Sequence, residues 1–269
     1  MSKDGFQLTG DAARTYEEQK VPAMFEPLAR ATLALHQVRP GDRVLDVACG
    51  TGIVARIVRE QFGSVPRVTG VDLNEAMIET ARVVSSRDGV VADFHVCDVT
   101  STPFDDGEFT FIICQQGLQY FPAEDAALAE LLRVAAHGAR FAFTVWSRPS
   151  PLIAAFSDSV RAHAGATLAE KAIAPFAWTG ADTIVERMRA VGYVDVNIEE
   201  LEVDRTINDP EQGVPKEIMS TPAGPPVADM GEAVFSTVVN EMLEATQHYR
   251  HGDRLVIPQH THLISAVAP

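Results

Sequence analysis

Three aspartates end successive apolar segments of this chain, and a glycine-rich turn follows the first. Asp46 ends RVLD, Asp72 ends RVTGVD and Asp98 ends FHVCD, and the turn ACGTG occupies positions 48–52. Glycine lets a backbone approach a ligand closely, and a helix that begins after such a turn presents free N–H groups. Carboxylates accept hydrogen bonds from hydroxyl and amino groups and attract cations. These residue types together indicate a site for a nucleoside-like ligand.

The glycine turn has more than one interpretation when taken by itself. From Gly50 the spacing is Gly-x-Gly-x-x-Ala, which also satisfies the fingerprint of nicotinamide and flavin dinucleotide enzymes. A tight turn in any α/β protein is a third interpretation. Asp46 lies four residues before Gly50, where an acid is unfavourable for a pyrophosphate and favourable for an ammonium or sulfonium group. With Asp72 and Asp98, the pattern favours a cationic nucleoside.

Regular alternation of strands and helices is predicted to position these residues. Strand candidates are 43–48, 67–72, 92–99, 109–115 and 139–146, and helix candidates are 53–62, 74–86 and 125–135. The first two strands are apolar along most of their length, as buried parallel strands are. This rhythm predicts an open, doubly wound α/β sheet. Such a sheet binds ligands at the carboxyl ends of its strands, where all three acids lie.

The predicted organisation outside this core is less regular. A helix at 181–191, a strand at 193–205 and a terminal strand at 254–268 are expected. We expect four parts: an N-terminal helical cap at 1–40, a ligand-binding core at 41–147, a helical insert at 148–180 that contributes to an acceptor pocket, and a completion of the sheet at 181–269 with a lid-like insert at 208–250. Pro22 and Pro27 interrupt the helical pattern of the cap.

Composition excludes several classes of partner. The 269 residues carry a formal charge of −15, which disfavours nucleic acids and anionic membranes. No apolar run reaches the roughly 18 residues that span a membrane. Three cysteines without a paired framework, and no basic-then-apolar segment at the start, favour a cytoplasmic location. A small molecule is the expected partner, with the chain a monomer or homodimer.

Four motifs in order resemble class I S-adenosylmethionine (SAM)-dependent methyltransferases, closest to the branch with quinone-ring and small-molecule enzymes. They are VLDVACGTG, GVDLNEAMIETAR, HVCDV and FTFIICQQGLQYF, and the resemblance covers roughly residues 14–146. It implies a Rossmann-like, doubly wound, seven-stranded sheet, mostly parallel with an antiparallel terminal strand, and helices on both faces. It also implies SAM as cofactor, with S-adenosylhomocysteine (SAH) as product. Ala48 stands where many relatives have a glycine.

The resemblance implies a role for each cofactor-binding position. The methionine part of SAM would meet Asp46, the loop Ala48, Cys49, Gly50, Thr51 and Gly52, and the strand end Gln115 and Gln116, with Gly117 allowing close approach. Asp72 would bind both ribose hydroxyls. Leu73, Met77, Cys97, Asp98 and Val99 would surround the adenine, with Asp98 accepting from its amino group. Taken singly, Asp72 and Asp98 also suit helix or turn caps, and Met77, Cys49 and Cys97 also suit a plain core.

Methyl transfer from a sulfonium needs alignment more than acid–base chemistry, so no catalytic dyad is required. Tyr16 is a further candidate for cofactor contact, and Phe25, Gln119, Tyr120 and Trp146 are candidates for the acceptor pocket. Tyr16, His163 and Gln119 are weak catalytic candidates. The pair His260-x-His262 shares one strand face but lacks further ligands at suitable spacing, so no metal site is predicted.

The expected activity is therefore methylation of a small, largely apolar molecule. O-methylation is the first expectation, with N- or C-methylation open. One alternative is a methyltransferase-fold protein that binds SAM or SAH for other chemistry or regulation. A second is an NAD(P)-dependent oxidoreductase, although it leaves Asp46 and Asp98 unexplained.

Overall fold

The computed structural model describes residues 10–63, 65–176, 178 and 180–269. The strands are β1 (Arg43–Val47), β2 (Arg67–Asp72), β3 (Asp93–Val96), β4 (Phe109–Gln115), β5 (Ala135–Trp146), β6 (Val194–Asn208), β7 (Arg250–His251) and β8 (Arg254–Val267). The α-helices are α1 (Gly10–Thr15), α2 (Glu26–Leu35), α3 (Ile53–Gln61), α4 (Glu75–Arg87), α5 (Glu124–Arg133), α6 (Pro151–Ala164), α7 (Ala166–Ile173), α8 (Ala181–Val191), α9 (Pro210–Met219), α10 (Gly224–Ala228) and α11 (Glu232–Ala245).

The sheet has the order β3-β2-β1-β4-β5-β8-β6, and the two-residue β7 pairs with β8 beside this path. Neighbours from β3 to β5 are parallel. The terminal strand β8 runs antiparallel to β5, since Gly138 donates to Ala268 while Ser147 donates to His260. The predicted doubly wound α/β fold is therefore confirmed, with one short strand beyond the seven expected.

The strand order reverses between β1 and β4. These two strands are neighbours in the sheet: β2 and β3 continue it on the side of β1, and β5 continues it on the side of β4. Their register pairs Asp46 with Ile113 and Val47 with Cys114. Both strands are buried almost throughout because RVLDV and FTFIICQ are largely apolar on both faces. The carboxyl ends at such a reversal form the crevice in which open α/β sheets bind ligands.

The described part of the N-terminal cap is helical from Gly10 to Leu35, but its winding changes. Between α1 and α2 the residues Tyr16–Phe25 form a π-helix, with Pro22 inside it. The sequence predicts an interruption at Pro22 but gives no sign of π winding. Val21 and Met24 are the buried positions of this segment.

The chain divides into two compact units. The first, the sheet unit, comprises residues 1–145, 180–200 and 262–269, and the second comprises 146–179 and 201–261. The second unit has its own hydrophobic core, in which Leu152 and Phe156 of α6, Ile218 of α9 and Met242 of α11 are all buried. Segments that the sequence suggested as separate inserts, 148–180 and 208–250, therefore share one core. The four-part division predicted above stays a prediction.

Most predicted elements lie within a few residues of the observed ones, and three differ more. The predicted strand at 92–99 is only β3, since Asp98 accepts hydrogen bonds in a turn. The strand predicted to start at 139 starts at Ala135. The segment at 208–232, too punctuated for one long helix, forms the two short helices α9 and α10. Among the described helices, none combines the length and apolar character that a membrane crossing requires.

Candidate functional site: the crevice at the carboxyl ends of β1, β2 and β4

The turn between β1 and α3 depends on left-handed backbone. Ala48, Gly50 and Gly52 have φ values of 52°, 54° and 82°. A Cβ on Gly52 would lie 2.8 Å from the ring of Phe94, so no larger residue fits there without a shift. The Cys49 N–H donates to the Val71 carbonyl over 2.9 Å, which joins the turn to β2. The turn is therefore tightly specified and leads directly into the α3 N-terminus.

Ala48 keeps this left-handed conformation although it has a side chain. Its methyl packs against the backbone of Gly117, where a Cβ would lie 2.5 Å from the Ala48 Cβ and 2.8 Å from the Cys114 Sγ. Gly117 therefore makes room for Ala48. This close approach joins the turn after β1 to the chain that leaves β4.

Asp46 is the most unusual group of the site. It is 1% exposed, and no described residue makes a well-formed hydrogen bond to either carboxylate oxygen. Burial raises the pKa of its carboxyl to about 8; the nearby Asp72 adds to the rise, while the Ala55 N–H and the Arg56 guanidinium oppose it. An unpartnered buried carboxyl is costly to a fold and is a strong indication of a binding function.

Asp72 has a different environment because backbone donors hold it. Its two carboxylate oxygens accept hydrogen bonds from the N–H of Gly50 over 2.8 Å and of Asn74 over 2.9 Å. Burial raises the pKa of Asp72, and these N–H groups offset part of the rise. The side chain that caps α4 is Asn74, which accepts from Ala76 and Met77. Asp72 therefore links the turn after β1 to the end of β2.

The end of β3 lies beside the end of β2, as the sequence predicts. The Cys97 N–H donates to the Asp72 carbonyl over 3.1 Å. Asp98 is exposed, and one of its oxygens accepts from both the N–H and the hydroxyl of Thr100. Its turn-capping role is thus present, and its other oxygen remains for a ligand.

The surroundings of Asp72 and Asp98 are apolar but differ in exposure. Leu73 is 53% and Val96 44% exposed, an unusual exposure for large apolar side chains at a sheet edge. Val99 is partly exposed. Met77 is buried at 3%, so it supports the helix core behind this surface. Burial raises the pKa of the half-buried Cys97 thiol to about 11, so this thiol stays protonated at neutral pH.

The cap covers the turn with two aromatic rings. The rings of Tyr16 and Phe25 stack with centroids 5.1 Å apart. Gln115 at the end of β4 donates from Nε2 to the Phe25 carbonyl over 3.1 Å, and its buried Oε1 has no partner among the described residues. One small cavity is lined by these three residues together with Asp46, Ala48, Cys49, Gly50, Thr51, Ile53 and Val54. Burial raises the pKa of the Tyr16 hydroxyl, and Asp72 adds to the rise.

The segment after β4 holds three further candidates. Gln116 is buried with φ 58°, and its N–H donates to the Thr144 carbonyl over 2.8 Å. Gln119 and Tyr120 lie on a short 3-10 helix, Leu118–Tyr120, that follows Gly117. Burial raises the pKa of Tyr120, and Gln119 opposes the rise by a hydrogen bond.

Two candidates belong to the second unit. Trp146 is 5% exposed and its ring lies 5.6 Å from that of Phe176. His163 on α6 is 2.8 Å from Glu241 of α11 through Nε2. His260 lies 3.5 Å from Glu202. No cluster of three or more His, Cys, Asp or Glu suited to a metal occurs in the part of the chain that the structure describes.

Sequence reasoning missed one pair of residues at the edge of the site. Arg56 of α3, 8% exposed, is paired with Glu17 of the π-helix at 2.6 Å, and its guanidinium also donates to the Thr51 carbonyl. The two residues are 39 positions apart, and neither belongs to a local motif. The sequence signal that could have indicated this pair is Arg56 itself, a basic residue among the apolar buried positions of α3.

Comparisons with known proteins bear on this geometry. A family model described as a methyltransferase domain matches residues 44–138. Residues 44–138 therefore resemble a class I SAM-dependent methyltransferase domain. The predicted resemblance is therefore confirmed for the part of the sheet unit that contains the turn, Asp72 and Asp98.

A curated relative is similar over part of this chain. The ubiquinone/menaquinone biosynthesis C-methyltransferase UbiE of Cupriavidus metallidurans is 38% identical over 109 residues, which are 40% of this chain and 45% of the relative. The chain thus spans less than half the length of the curated relatives it matches.

Solved structures show the same fold at low sequence identity. Phosphoethanolamine N-methyltransferase 2 of Haemonchus contortus, solved with phosphomonomethylethanolamine and SAH, has a TM-score of 0.61 at 18% identity, and covers 97% of this chain and 58% of its own. The [4+2]-cyclase SpnF has a TM-score of 0.57 at 20% identity over 91% of this chain and 81% of its own. These likenesses support the methyltransferase fold.

Proposed function

We propose that this protein transfers a methyl group from SAM to a small molecule. The observation that carries the proposal is Asp46: a buried carboxyl without a well-formed partner, in a cavity formed by a glycine turn at the carboxyl edge of a parallel sheet. An ammonium group would supply the missing partner. The residues present therefore fit SAM, which has an ammonium and a sulfonium centre, better than a pyrophosphate-containing dinucleotide.

Each polar group of the crevice has a proposed part in binding. Asp46, Gln115 and the turn 48–52 hold the methionine part of SAM. Asp72 accepts from the ribose hydroxyls through lone pairs not used by the Gly50 and Asn74 N–H groups. Asp98 accepts from the adenine amino group, and the exposed side chains Leu73 and Val96 cover the purine ring. Burial of these exposed apolar groups favours binding.

SAM supplies a methyl group on a positively charged sulfur, which is already a good leaving group. The protein therefore has to align the acceptor and exclude water, and alignment contributes on the order of 7–11 kcal/mol to such reactions. Tyr16 and Phe25 lie over the turn and serve this exclusion, and aromatic faces also attract a sulfonium. A general base is needed only for an acceptor that must lose a proton.

The proposed acceptor is a small, largely apolar molecule, with Phe25, Gln119 and Tyr120 of the sheet unit as candidate contacts. The predicted role of Trp146, which belongs to the second unit, stays a prediction. The sequence favoured O-methylation as a first expectation. The curated relatives are named as C-methyltransferases of quinone biosynthesis, so activated carbon acceptors enter the proposal beside phenols. The formal charge of −15 disfavours nucleic-acid acceptors. A cytoplasmic location stays a prediction.

Calorimetric titration with SAM, SAH and NADH tests the proposed cofactor. We expect SAM and SAH to bind and NADH not to bind. Asp46→Asn should weaken SAH binding, whereas Asp93→Asn should not, because Asp93 begins β3 at the opposite edge of the sheet and its side chain is 64% exposed. Binding of NADH without binding of SAM or SAH would contradict the proposal and favour an oxidoreductase.

Turnover of methyl-labelled SAM tests the reaction. The acceptors are a panel of quinols, phenols, amines and activated methylene compounds, with product release followed as SAH. Label in an acceptor supports methyl transfer and identifies the methylated atom. Tight SAM binding without label transfer to any acceptor would instead support the alternative in which the fold binds SAM for other chemistry or regulation.

A further inference from the structure

The winding of the cap determines which of its residues reach the turn at 48–52, called the cofactor turn below. Tyr16 and Phe25 are nine positions apart. In an α-helix each residue advances about 100°, so nine residues place two side chains on opposite faces. In the π-helix the same two rings stack on one face, 5.1 Å apart, with their planes inclined by only 29°. The π winding is thus a condition for both rings to cover the turn.

Pro22 explains why this segment departs from α winding. Proline has no N–H, and its ring collides with the carbonyl four residues earlier in an α-helix, here that of Glu18. A wider turn relieves that collision. The Glu26 N–H donates to the Val21 carbonyl, a span of five residues, which is the π pattern. Single π turns occur frequently at functional sites.

One buried ion pair joins this π-helix to the cofactor turn. Glu17 follows Tyr16, and its Oε1 lies 2.6 Å from Nη2 of Arg56. The side chains are only 13% and 9% exposed. Through Nη1, Arg56 donates to the carbonyl of Thr51, inside the turn. A continuous chain of polar contacts therefore runs from the cap residue beside Tyr16 to the backbone of the turn.

We propose that Glu17 and Arg56 are positioning residues for SAM binding. The pair keeps the π-helix seated on α3, so that Tyr16 stays over Gly50 while the Thr51 carbonyl keeps its orientation. The inference rests on the proposed function. It goes beyond that function by assigning part of the cofactor affinity to two residues that are not among those lining the small cavity beside the turn.

A second ion pair between the same regions provides a matched comparison. Arg30 of α2 bonds Glu60 of α3 at 2.9 Å, but these side chains are 39% and 60% exposed. Exposed pairs contribute little because water screens them. Removing the charge of Glu60 should therefore leave the cap in place, whereas removing that of Glu17 leaves the buried Arg56 without its carboxylate partner.

The test compares Glu17→Gln with Glu60→Gln in the full chain. Calorimetry measures the dissociation constant of SAH, and hydrogen exchange followed by mass spectrometry measures protection of residues 16–25. We expect Glu17→Gln to weaken SAH binding about tenfold and to speed exchange in 16–25 even without ligand, while Glu60→Gln changes binding by less than about twofold. In turnover assays the KM for SAM should rise with kcat nearly unchanged, as loss of uniform binding requires.

A double-mutant cycle with Arg56→Met separates the pair from a general structural effect. If the two residues act as a unit, the dissociation constant of SAH for the double variant should equal that of the weaker-binding single variant. It should stay well below the value expected if the two fold-increases multiplied. Additive losses, or Glu17→Gln behaving like Glu60→Gln in both binding and exchange, would overturn the inference. If the wild-type protein does not bind SAH, the proposed function fails. Hydrogen exchange of the free protein then still decides whether the pair holds the π-helix on α3.

Discussion

One buried carboxyl of the sheet unit and one buried guanidinium of the second unit have opposite surroundings. In the sheet unit Asp46 is 1% exposed and receives no well-formed hydrogen bond from the residues that the structure describes. In the second unit Arg205 of β6 is 2% exposed, and its guanidinium forms an ion pair with Glu217 of α9. The Asp46 carboxyl has no such bond from the described residues, whereas the Arg205 guanidinium has a carboxylate partner within its own unit.

This difference is what we expect between a group proposed to bind a ligand and a group that stabilises the fold. Burying an unpartnered ionisable group costs free energy, and Asp46 avoids most of it by holding its proton, as its raised pKa indicates. A buried guanidinium needs a carboxylate partner, and Arg205 has one in Glu217. Removing either group should therefore have different consequences for stability and for binding.

The largest effect is expected from breaking the pair in the second unit. Glu217→Gln leaves the buried Arg205 charge without its carboxylate and should lower the free energy of unfolding by about 3–5 kcal/mol. Both tryptophans of the chain, Trp146 and Trp178, belong to this unit, so urea unfolding followed by their fluorescence measures it directly.

The matched control for that change lies on the same helix. Glu211 of α9 is paired with Arg250, but both side chains are largely exposed. Glu211→Gln should leave the unfolding midpoint nearly unchanged, since solvent screens the pair. Equal destabilisation by the two variants would mean that the buried Arg205–Glu217 pair contributes no more to stability than the exposed Arg250–Glu211 pair.

A smaller effect on binding, with a stability effect of opposite sign, is expected at Asp46. Asp46→Asn should weaken SAH binding by about 1.5–3 kcal/mol, the contribution of a hydrogen bond to a charged group. Asp46→Asn should raise stability at high pH, whereas Glu217→Gln should lower it. The pKa of Asp46 is raised from 3.8 to about 8, so the wild-type protein loses stability as pH rises through this window, and the variant escapes that loss. Thermal melts at pH 5 and pH 9, with and without SAH, measure both effects.

Packing at the site edge gives the next effect. Gly117→Ala places a methyl against Ala48 and Cys114 and should cost about 1–3 kcal/mol of stability by overpacking. Ala48→Gly in the same chain removes one of the two clashes and should recover part of this loss. Thermal unfolding followed by circular dichroism measures the cycle, and absence of any recovery would show that the Ala48 methyl is not the obstacle.

The smallest effect concerns protons. At pH 6.5 Asp46 is protonated in the free protein, and an ammonium ligand favours its ionised form. SAH binding should therefore release about one proton per ligand. Calorimetry in two buffers of different ionisation enthalpy measures the number released. Asp46→Asn should reduce it to near zero, and release that persists in this variant would assign the proton to another group.

Much of the sheet was predictable from sequence because its signals are local. β2, β4 and α8 have the predicted bounds, since apolar runs and helical periodicity depend only on neighbouring residues. The three acids were predictable as one group because parallel strands end at one edge of a sheet, and the Cys97–Asp72 backbone hydrogen bond shows the edges of β2 and β3 meeting. Their contacts with the cofactor stay predictions.

The remainder depends on contacts between distant positions. The π winding at Tyr16–Phe25 follows from Pro22 together with packing on α3, and helical periodicity by itself indicated only an interruption. Glu17 and Arg56 are 39 residues apart, and no spacing rule joins them. The common core of 148–180 and 208–250 likewise arises from segments far apart in sequence.

By itself the sequence determined the α/β class, the order of apolar strands and the positions of acids at the strand ends, because these depend on local patterns of residue type. Only the tertiary structure decided that Asp46 has no well-formed hydrogen bond from the described residues while Arg205 has an ion-pair partner. The physical reason is that burial and hydrogen-bond satisfaction are properties of the surroundings in space. Those surroundings are assembled from residues that the sequence keeps apart.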